Sequence, residues 1–206
     1  MTPRTRKTLE FILDNLVWFM LIVVLALFSA LIPNYFQIGI FTNIIEASSV
    51  LGVMSIGLAL VIITGHMDLS VESVAALSAM AVGILFCSAG IGLGIKLSPE
   101  WLMIPASLLV ACAIGALIGL FNGFLVVKLK MSAFIITLAS LSVFKGADLG
   151  ITRAQPFYDI PASVKAFGNA TLIGPIPWLA VPAALVVAGM WRLLYRQRVG
   201  RFILAV

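Results

Sequence analysis

The sequence contains few charged residues, one histidine and two cysteines. Charged residues occupy 10% of the 206 positions and apolar residues occupy 62%, whereas a soluble domain is usually about one-quarter charged. A chain with so little charge cannot cover a globular surface with polar groups. The composition therefore excludes a soluble domain and predicts an integral membrane protein of the all-α class, a polytopic transmembrane helix bundle.

Sequence patterns of enzymes and metal sites are also missing. Cys87 and Cys112 lack CxxC spacing, and we interpret both as small buried hydrophobic residues within apolar helices. The sequence contains no P-loop, HExxH motif or nucleophile elbow. We therefore predict no catalytic residue, no metal site and no cofactor. The net charge of +5 does not indicate nucleic-acid binding, because the cations cluster at the ends of apolar runs.

Long apolar runs are abundant and predict about six membrane spans, since about 20 residues cross about 30 Å of hydrocarbon. The predicted spans are residues 16–32, 47–63, 74–95, 102–127, 133–151 and 178–194. The first run is interpreted as an uncleaved anchor, because it is longer than the apolar part of a signal peptide. Basic residues before span one, at 128–130 and after span six predict that both chain ends are cytoplasmic. Residues 33–46, 96–101 and 152–177 are predicted external segments, the last with room for a short helix.

A polar break, residues 65–73, separates the second and third spans. Asp68 and Glu72 lie one helical turn apart, which predicts that they share a face. An acid at mid-bilayer costs about 2.5–3.5 kcal/mol, so two of them need water, a cation or a partner chain. Asp68 or Ser70 is a candidate N-cap for the following helix. Two interpretations of the break stay open: it is a cytoplasmic loop with solvated acids, or it lies inside the membrane and faces a cavity.

Further polar and small residues lie within the predicted spans. Asn122 is predicted to bridge helices near the cytoplasmic end of the fourth span. Gly115, Gly119 and Gly123 recur every four residues, which predicts a smooth ridge for close helix packing.

Two charged residues lie near the predicted external end of the fifth span. Lys145 and Asp148 are predicted to pair with each other or with lipid headgroups, since long side chains extend toward the membrane surface. His66, in the polar break, is interpreted as an incidental loop histidine.

Four segments resemble, in the same order, motifs of the ribose-type permease subunits of bacterial ABC importers, in the branched-chain amino acid/ribose permease superfamily. Residues 65–73, GHMDLSVES, are similar to the hallmark GGIDLSVGS. Residues 121–123 and 132–138 are similar to the family's NG and PFIATL segments. Lys145 and Gly146 stand where the family has Arg-Gly, and residues 198–206 resemble RLGRYIYAVG.

The resemblance implies one permease domain over residues 1–206 that forms the passage for a monosaccharide or similar small polar solute. It implies three protein partners: a cytoplasmic ATPase, a periplasmic solute-binding protein and a second permease subunit, either the same or related. The chain would be a multi-pass protein of the bacterial inner membrane and not itself an enzyme. The resemblance also leads us to predict a group of residues in the translocation path or its hinge: Asp68, Ser70, Glu72, Asn122 and Thr137.

The sequence departs from the family pattern at three places. His66 and Glu72 stand where the hallmark has glycine, and Ser132-Ala133 stands where the family has proline. The chain ends at Val206, where relatives continue with a coupling segment and further spans, so we expect a shortened permease. Two alternatives stay open: a self-contained six-span subunit that binds its solute directly, and a membrane scaffold without transport activity.

Overall fold

The computed structural model describes residues 11–205, which are predominantly helical. The helices are α1 (Leu16–Leu31), α2 (Ile38–Ile63), α3 (Val71–Phe86), α4 (Met103–Val127), α5 (Ala133–Thr152), α6 (Ala162–Asn169), α7 (Ala180–Arg196) and α8 (Arg198–Leu204). A 3-10 turn, Glu100–Leu102, precedes α4. An antiparallel hairpin of β1 (Thr171–Ile173) and β2 (Ile176–Pro177) connects α6 to α7. The basic residues Arg4, Arg6 and Lys7 lie outside the described residues, as does Val206.

The described helices confirm the predicted all-α membrane bundle with a polar break. Three helical segments are long and apolar enough to cross a membrane: Ile38–Ile63, Glu100–Val127 and Ala133–Thr152. Helices α1 and α3 are apolar and shorter, with 16 residues each. A helix lies in each of the six predicted spans. The predicted cytoplasmic and external sides of the loops stay predictions.

The predicted start of the second span was wrong. Helix α2 begins at Ile38 rather than near residue 47. Its polar residues do not end the helix, because they bond to the preceding turn. The hydroxyl of Thr42 donates to the carbonyl of Ile38 at 3.2 Å, and that of Ser49 donates to the carbonyl of Ile45 at 2.6 Å. Such bonds satisfy a hydroxyl within an apolar helix without any outside partner.

The predicted end of the third span was also wrong, since α3 ends at Phe86 and not near residue 95. Residues 87–95 instead turn back on the end of the helix, where the N–H of Ile95 donates to the carbonyl of Leu85 at 2.9 Å. Gly90 and Gly94 both adopt positive φ, with values of 70° and 61°. Glycine adopts this conformation at little cost, so an apolar but glycine-rich segment leaves the helix.

The predictions for the two cysteines had different outcomes. Cys87, which follows α3, is buried, whereas Cys112 on α4 is exposed. Neither forms a disulfide. The prediction of burial was therefore correct for Cys87 and wrong for Cys112, because α4 is apolar on its outward as well as its inward face.

The chain divides into two compact units, Met1–Ile44 and Ile45–Val206, and the boundary falls within α2. In the first unit, Phe28 stacks on Tyr35 with ring centroids 5.8 Å apart, and Tyr35 meets Phe36 edge to face. The single permease domain over residues 1–206 stays a prediction.

The core of the second unit lies where α3 packs against α4 and α5. Its buried apolar side chains are Met80, Phe86, Cys87, Met103, Ile118 and Ile136. Many outward-facing side chains on these helices are large and apolar, such as Leu109 and Leu120 on α4. An extensive exposed apolar surface is what lipid contact requires, so this arrangement is that of a bundle in a membrane.

Candidate functional site: a polar chain at the helix break

The break between α2 and α3 is a sharp turn followed by a short extended segment. Gly65 follows the end of α2 with a φ of 76°, a conformation that other residues rarely adopt. Asp68 Oδ1 then accepts two hydrogen bonds from Ser70, from its backbone N–H at 2.8 Å and from its hydroxyl at 2.6 Å. Ser70 is the N-cap of α3 but makes no side-chain bond to the helix. The predicted N-cap position is therefore confirmed for Ser70, but its side chain makes no capping bond and is held by Asp68 instead.

Ser70 connects half-buried Asp68 to a buried series of hydrogen bonds that joins the break to two helices. Asn122 Nδ2 on α4 donates to Ser70 Oγ at 3.2 Å, and Ser140 Oγ on α5 donates to Asn122 Oδ1 at 2.7 Å. Ser70, Asn122 and Ser140 are only 1%, 6% and 7% exposed. Each buried polar atom in the chain has a partner, which avoids a cost of about 1–3 kcal/mol per unsatisfied group. We call Asp68–Ser70–Asn122–Ser140 the polar chain.

Thr137 lies one turn before Ser140 on the same face of α5 and contacts the break. Its hydroxyl donates to the carbonyl of Ala133 at 2.8 Å, and the carbonyl of Met67 lies at 3.5 Å. The shorter bond is within α5, so Thr137 supports the break mainly by packing against it. Ser73, on the first turn of α3, is also buried and donates to the carbonyl of Ser70 at 2.8 Å.

Two cavities border the break. One, of about 270 Å³, is lined on three sides by Asp68, Asn122 and Thr137, with Gly119 and Gly123 on its α4 wall. The other, of about 480 Å³, lies between residues 65–67 and the turn that joins α4 to α5. Because a water molecule occupies about 30 Å³, each cavity has room for several. Three of the predicted path residues therefore lie together beside open space.

Glu72 lies apart from the polar chain. Its Oε1 is 3.0 Å from Nζ of Lys145 on α5. The predicted shared face of Asp68 and Glu72 was wrong, because α3 begins only after Asp68 and the two acids take different partners. The predicted pairing of Lys145 with Asp148 was wrong for a related reason: the α3–α5 packing brings Glu72 within its reach. Contact with lipid headgroups stays a prediction. Asp148 instead lines a third, mainly apolar cavity of about 710 Å³ at the other end of α3.

The break reaches from the level of the turn that joins α4 to α5, beside residues 65–67, to Ser70, which lies inside the packed helices. Asn122 is about 8 Å before the end of α4, and Ser140 is about 10 Å after the start of α5, at 1.5 Å per residue. Both residues bind to each other, and Asn122 binds to the break. Ser70 is therefore enclosed by the packed helices, and the position of the break relative to the membrane surface stays a prediction.

The glycine ridge on α4 has no close neighbour over most of its length. A Cβ placed on Gly115 would lie 4.0 Å from Val74 of α3, and one on Gly119 or Gly123 would meet nothing within 4 Å among the described residues. Gly119 and Gly123 instead form a wall of the 270 Å³ cavity. Close helix packing against all three glycines stays a prediction.

Sequence reasoning missed Ser140, which connects α5 to the polar chain. A signal for it was present, because Thr137 and Ser140 are three residues apart and share one face of an otherwise apolar helix. Asn122, in contrast, was predicted to bridge helices, and its bonds to Ser70 and Ser140 confirm that prediction.

Residues 40–206 match the family model described as "Branched-chain amino acid transport system / permease component". The chain belongs to this permease family. The match covers most of the chain, and it confirms the family resemblance carried by the motifs at residues 65–73, 121–138 and 198–206.

Curated relatives in this family are permeases named "Autoinducer 2 import system permease protein LsrC". The one from Yersinia pseudotuberculosis serotype O:1b (strain IP 31758) is 35% identical over 190 residues, covering 90% of this chain and 50% of the relative. The one from Enterobacter sp. (strain 638) is 35% identical over 175 residues, covering 84% of this chain and 48% of the relative. The chain thus spans about half the length of the curated relatives that it matches. No solved structure matches the chain significantly.

Proposed function

We propose that the chain is a permease subunit of a bacterial ABC importer in the inner membrane. Its solute is a monosaccharide or a similar small polar molecule, and autoinducer 2 is the first candidate because the named relatives import it. The polar chain and the cavity beside it form part of the translocation path or of the hinge that shapes this path.

The observation that carries this proposal is the buried polar chain in the interior of an apolar bundle. An inert membrane anchor would have no need for buried Ser70, Asn122 and Ser140 or for half-buried Asp68 between its helices, because buried polar groups need partners away from water. A passage for polar solutes needs hydrogen-bonding groups at that depth. The cavity of about 270 Å³ beside Asp68 and Asn122 provides space for them to contact water or solute.

The proposed importer requires three partners, each with a separate role. A periplasmic binding protein delivers the solute, a second permease subunit completes the passage, and a cytoplasmic ATPase supplies the free energy. ATP hydrolysis takes place on the ATPase, so this chain contributes positioning and selectivity rather than catalysis.

Reconstitution tests the proposal. The chain is co-expressed with the binding protein and ATPase encoded beside it, purified, and placed in liposomes, and ATP-dependent uptake of labelled autoinducer 2 and D-ribose is measured. We expect an ATPase to co-purify and uptake of at least one solute to require ATP. Purified chain that binds a solute tightly by itself, with no ATPase bound, would instead support the self-contained binding subunit.

A further inference from the structure

Glu72 and Lys145 form an ion pair on an exposed surface of the bundle, outside the polar chain. The distance from Lys145 Nζ to Glu72 Oε1 is 3.0 Å, and the two side chains are 53% and 72% exposed, respectively. Such exposed pairs are ordinary where water surrounds them, and they contribute about 0–1 kcal/mol. The location of this pair along the helices makes it unusual.

Lys145 lies just past the middle of α5, a helix long and apolar enough to cross a membrane, and Glu72 lies in the first turn of α3. Helix α5 rises about 30 Å over its length, and Lys145 lies about 18 Å from its start. Ser140, which is connected through Asn122 to Ser70, lies about 10 Å from that start. Glu72 follows Ser70 by half a turn. The ion pair therefore lies between the heights of Ser140 and Lys145 along α5. The Lys145 side chain extends toward the break and not toward the nearer end of α5.

Placing this pair in contact with lipid would be unfavourable in free energy. A charged residue at the centre of a membrane helix costs about 2.5–3.5 kcal/mol on insertion scales. An exposed ion pair returns only about 0–1 kcal/mol in water, and both side chains here keep most of their surface open. The surface that carries Glu72 and Lys145 is therefore better matched to water than to acyl chains.

Small and polar residues lie next to the ion pair on both helices. On α3, Ala75 and Ala79 follow Glu72 at helical spacing and are exposed. On α5, Ser142 and Gly146 flank Lys145 and are exposed too. These short side chains leave room beside the charges, whereas Val143, on another face of α5 at the same depth, is large, apolar and exposed. Leu149 and Leu138, one and two turns from Lys145 on the same face of α5, are also exposed, so the polar space is confined to the level of the ion pair.

We propose that the Glu72–Lys145 pair forms part of the wall of an aqueous passage at the middle of the membrane. The inference rests on the proposed transport function, since it assigns these residues to the passage. The pair offers hydrogen-bond acceptors on the carboxylate and donors on the ammonium, which suit a hydroxyl-bearing solute. Its net charge is zero, so it presents both kinds of group without favouring an ion of one sign.

Thiol labelling in the complete importer, reconstituted in liposomes, tests this placement. Glu72→Cys and Lys145→Cys are made separately in a Cys112→Ser background, which removes the exposed native thiol. Val143→Cys is the matched control at equal depth on the same helix. Each is treated with 2-sulfonatoethyl methanethiosulfonate, a charged reagent that needs water at the thiol. Elution as a single assembled complex shows that a variant has folded, and two positions are used in case one does not.

We expect the reagent to label Glu72→Cys or Lys145→Cys about tenfold faster than Val143→Cys, because thiolates form in water and not in lipid. Rates at both positions equal to or below that of Val143→Cys would overturn the inference, since protein or lipid would then cover the pair.

Uptake by the unmodified importer is measured in parallel. Absent uptake with fast labelling would count against the proposed function alone, and normal uptake with slow labelling would count against this inference alone.

Discussion

The two ends of α3 are held in different ways. At its start, Ser70 is fixed by hydrogen bonds to Asp68 and Asn122, and the cavity of about 480 Å³ beside residues 65–67 has a mainly polar lining. At its end, the ring of Phe157 packs on Gly83, beside a mainly apolar cavity of about 710 Å³. Backbone hydrogen bonds such as that from Ile95 to Leu85 also hold the end, so the start differs from it by its side-chain hydrogen bonds, which depend on direction. A permease needs such specification where polar solutes cross, and the predictions below test whether function follows it.

The largest expected effect is on transport when the start of α3 loses its acid. In a complete importer, Asp68→Ala should lower the uptake rate by about tenfold or more, because Ser70 loses its charged acceptor beside the passage. Asp148→Ala, at the apolar end, is the matched control and should retain most uptake. Equal initial rates for the two variants, at equal expression, would remove the distinction between the two ends.

The next effect is on stability when the centre of the polar chain is removed. Asn122→Leu should lower the free energy of unfolding by about 1–3 kcal/mol, since Ser70 loses a donor and Ser140 an acceptor. Thermal unfolding in detergent would measure this as a lower Tm. Phe121→Leu, an exposed neighbour on α4, is the control. An Asn122→Leu protein as stable as its control would mean that the polar chain contributes nothing to stability.

A smaller effect is expected at the apolar end of α3. In Gly83→Ala, the new Cβ would lie 2.6 Å from the Phe157 ring, so the ring must move. We expect a loss of about 1 kcal/mol, because overpacking is costly but a side chain can shift. Gly119→Ala, which meets nothing within 4 Å, should be neutral in the same Tm assay. If Gly119→Ala were the more destabilising, another helix would have to pack on the α4 ridge.

An effect of similar size is expected at the end of the polar chain. Ser140→Ala should lower the free energy of unfolding by about 1 kcal/mol, since Asn122 Oδ1 loses a hydrogen bond from an uncharged donor. Ser142→Ala is the control, because Ser142 is exposed and its hydroxyl bonds only within α5. If Ser142→Ala lost as much free energy of unfolding as Ser140→Ala, the loss would come from helix α5 itself and not from the polar chain.

Composition and periodicity were enough to predict the membrane class, the locations of the helices and the polar break. They failed where glycine ended α3 early and where polar residues continued α2, because apolarity alone does not fix helix ends. The pairing of Glu72 with Lys145 was out of reach for a different reason. It depends on how α3 packs against α5, which no local pattern of the sequence encodes. Asn122 was predictable because one amide in an apolar helix needs a partner.

The central claim is that the polar break lies inside the membrane and borders an aqueous passage. An experimental structure of the complete importer in a lipid nanodisc tests it most directly, since the density shows both the lipid belt and the waters. The account predicts that Asp68 and Asn122 lie at the depth of the lipid tails and that ordered waters or solute reach Asp68. A structure in which Asp68 extends into bulk solvent, with the helices sealed behind it, would contradict the account.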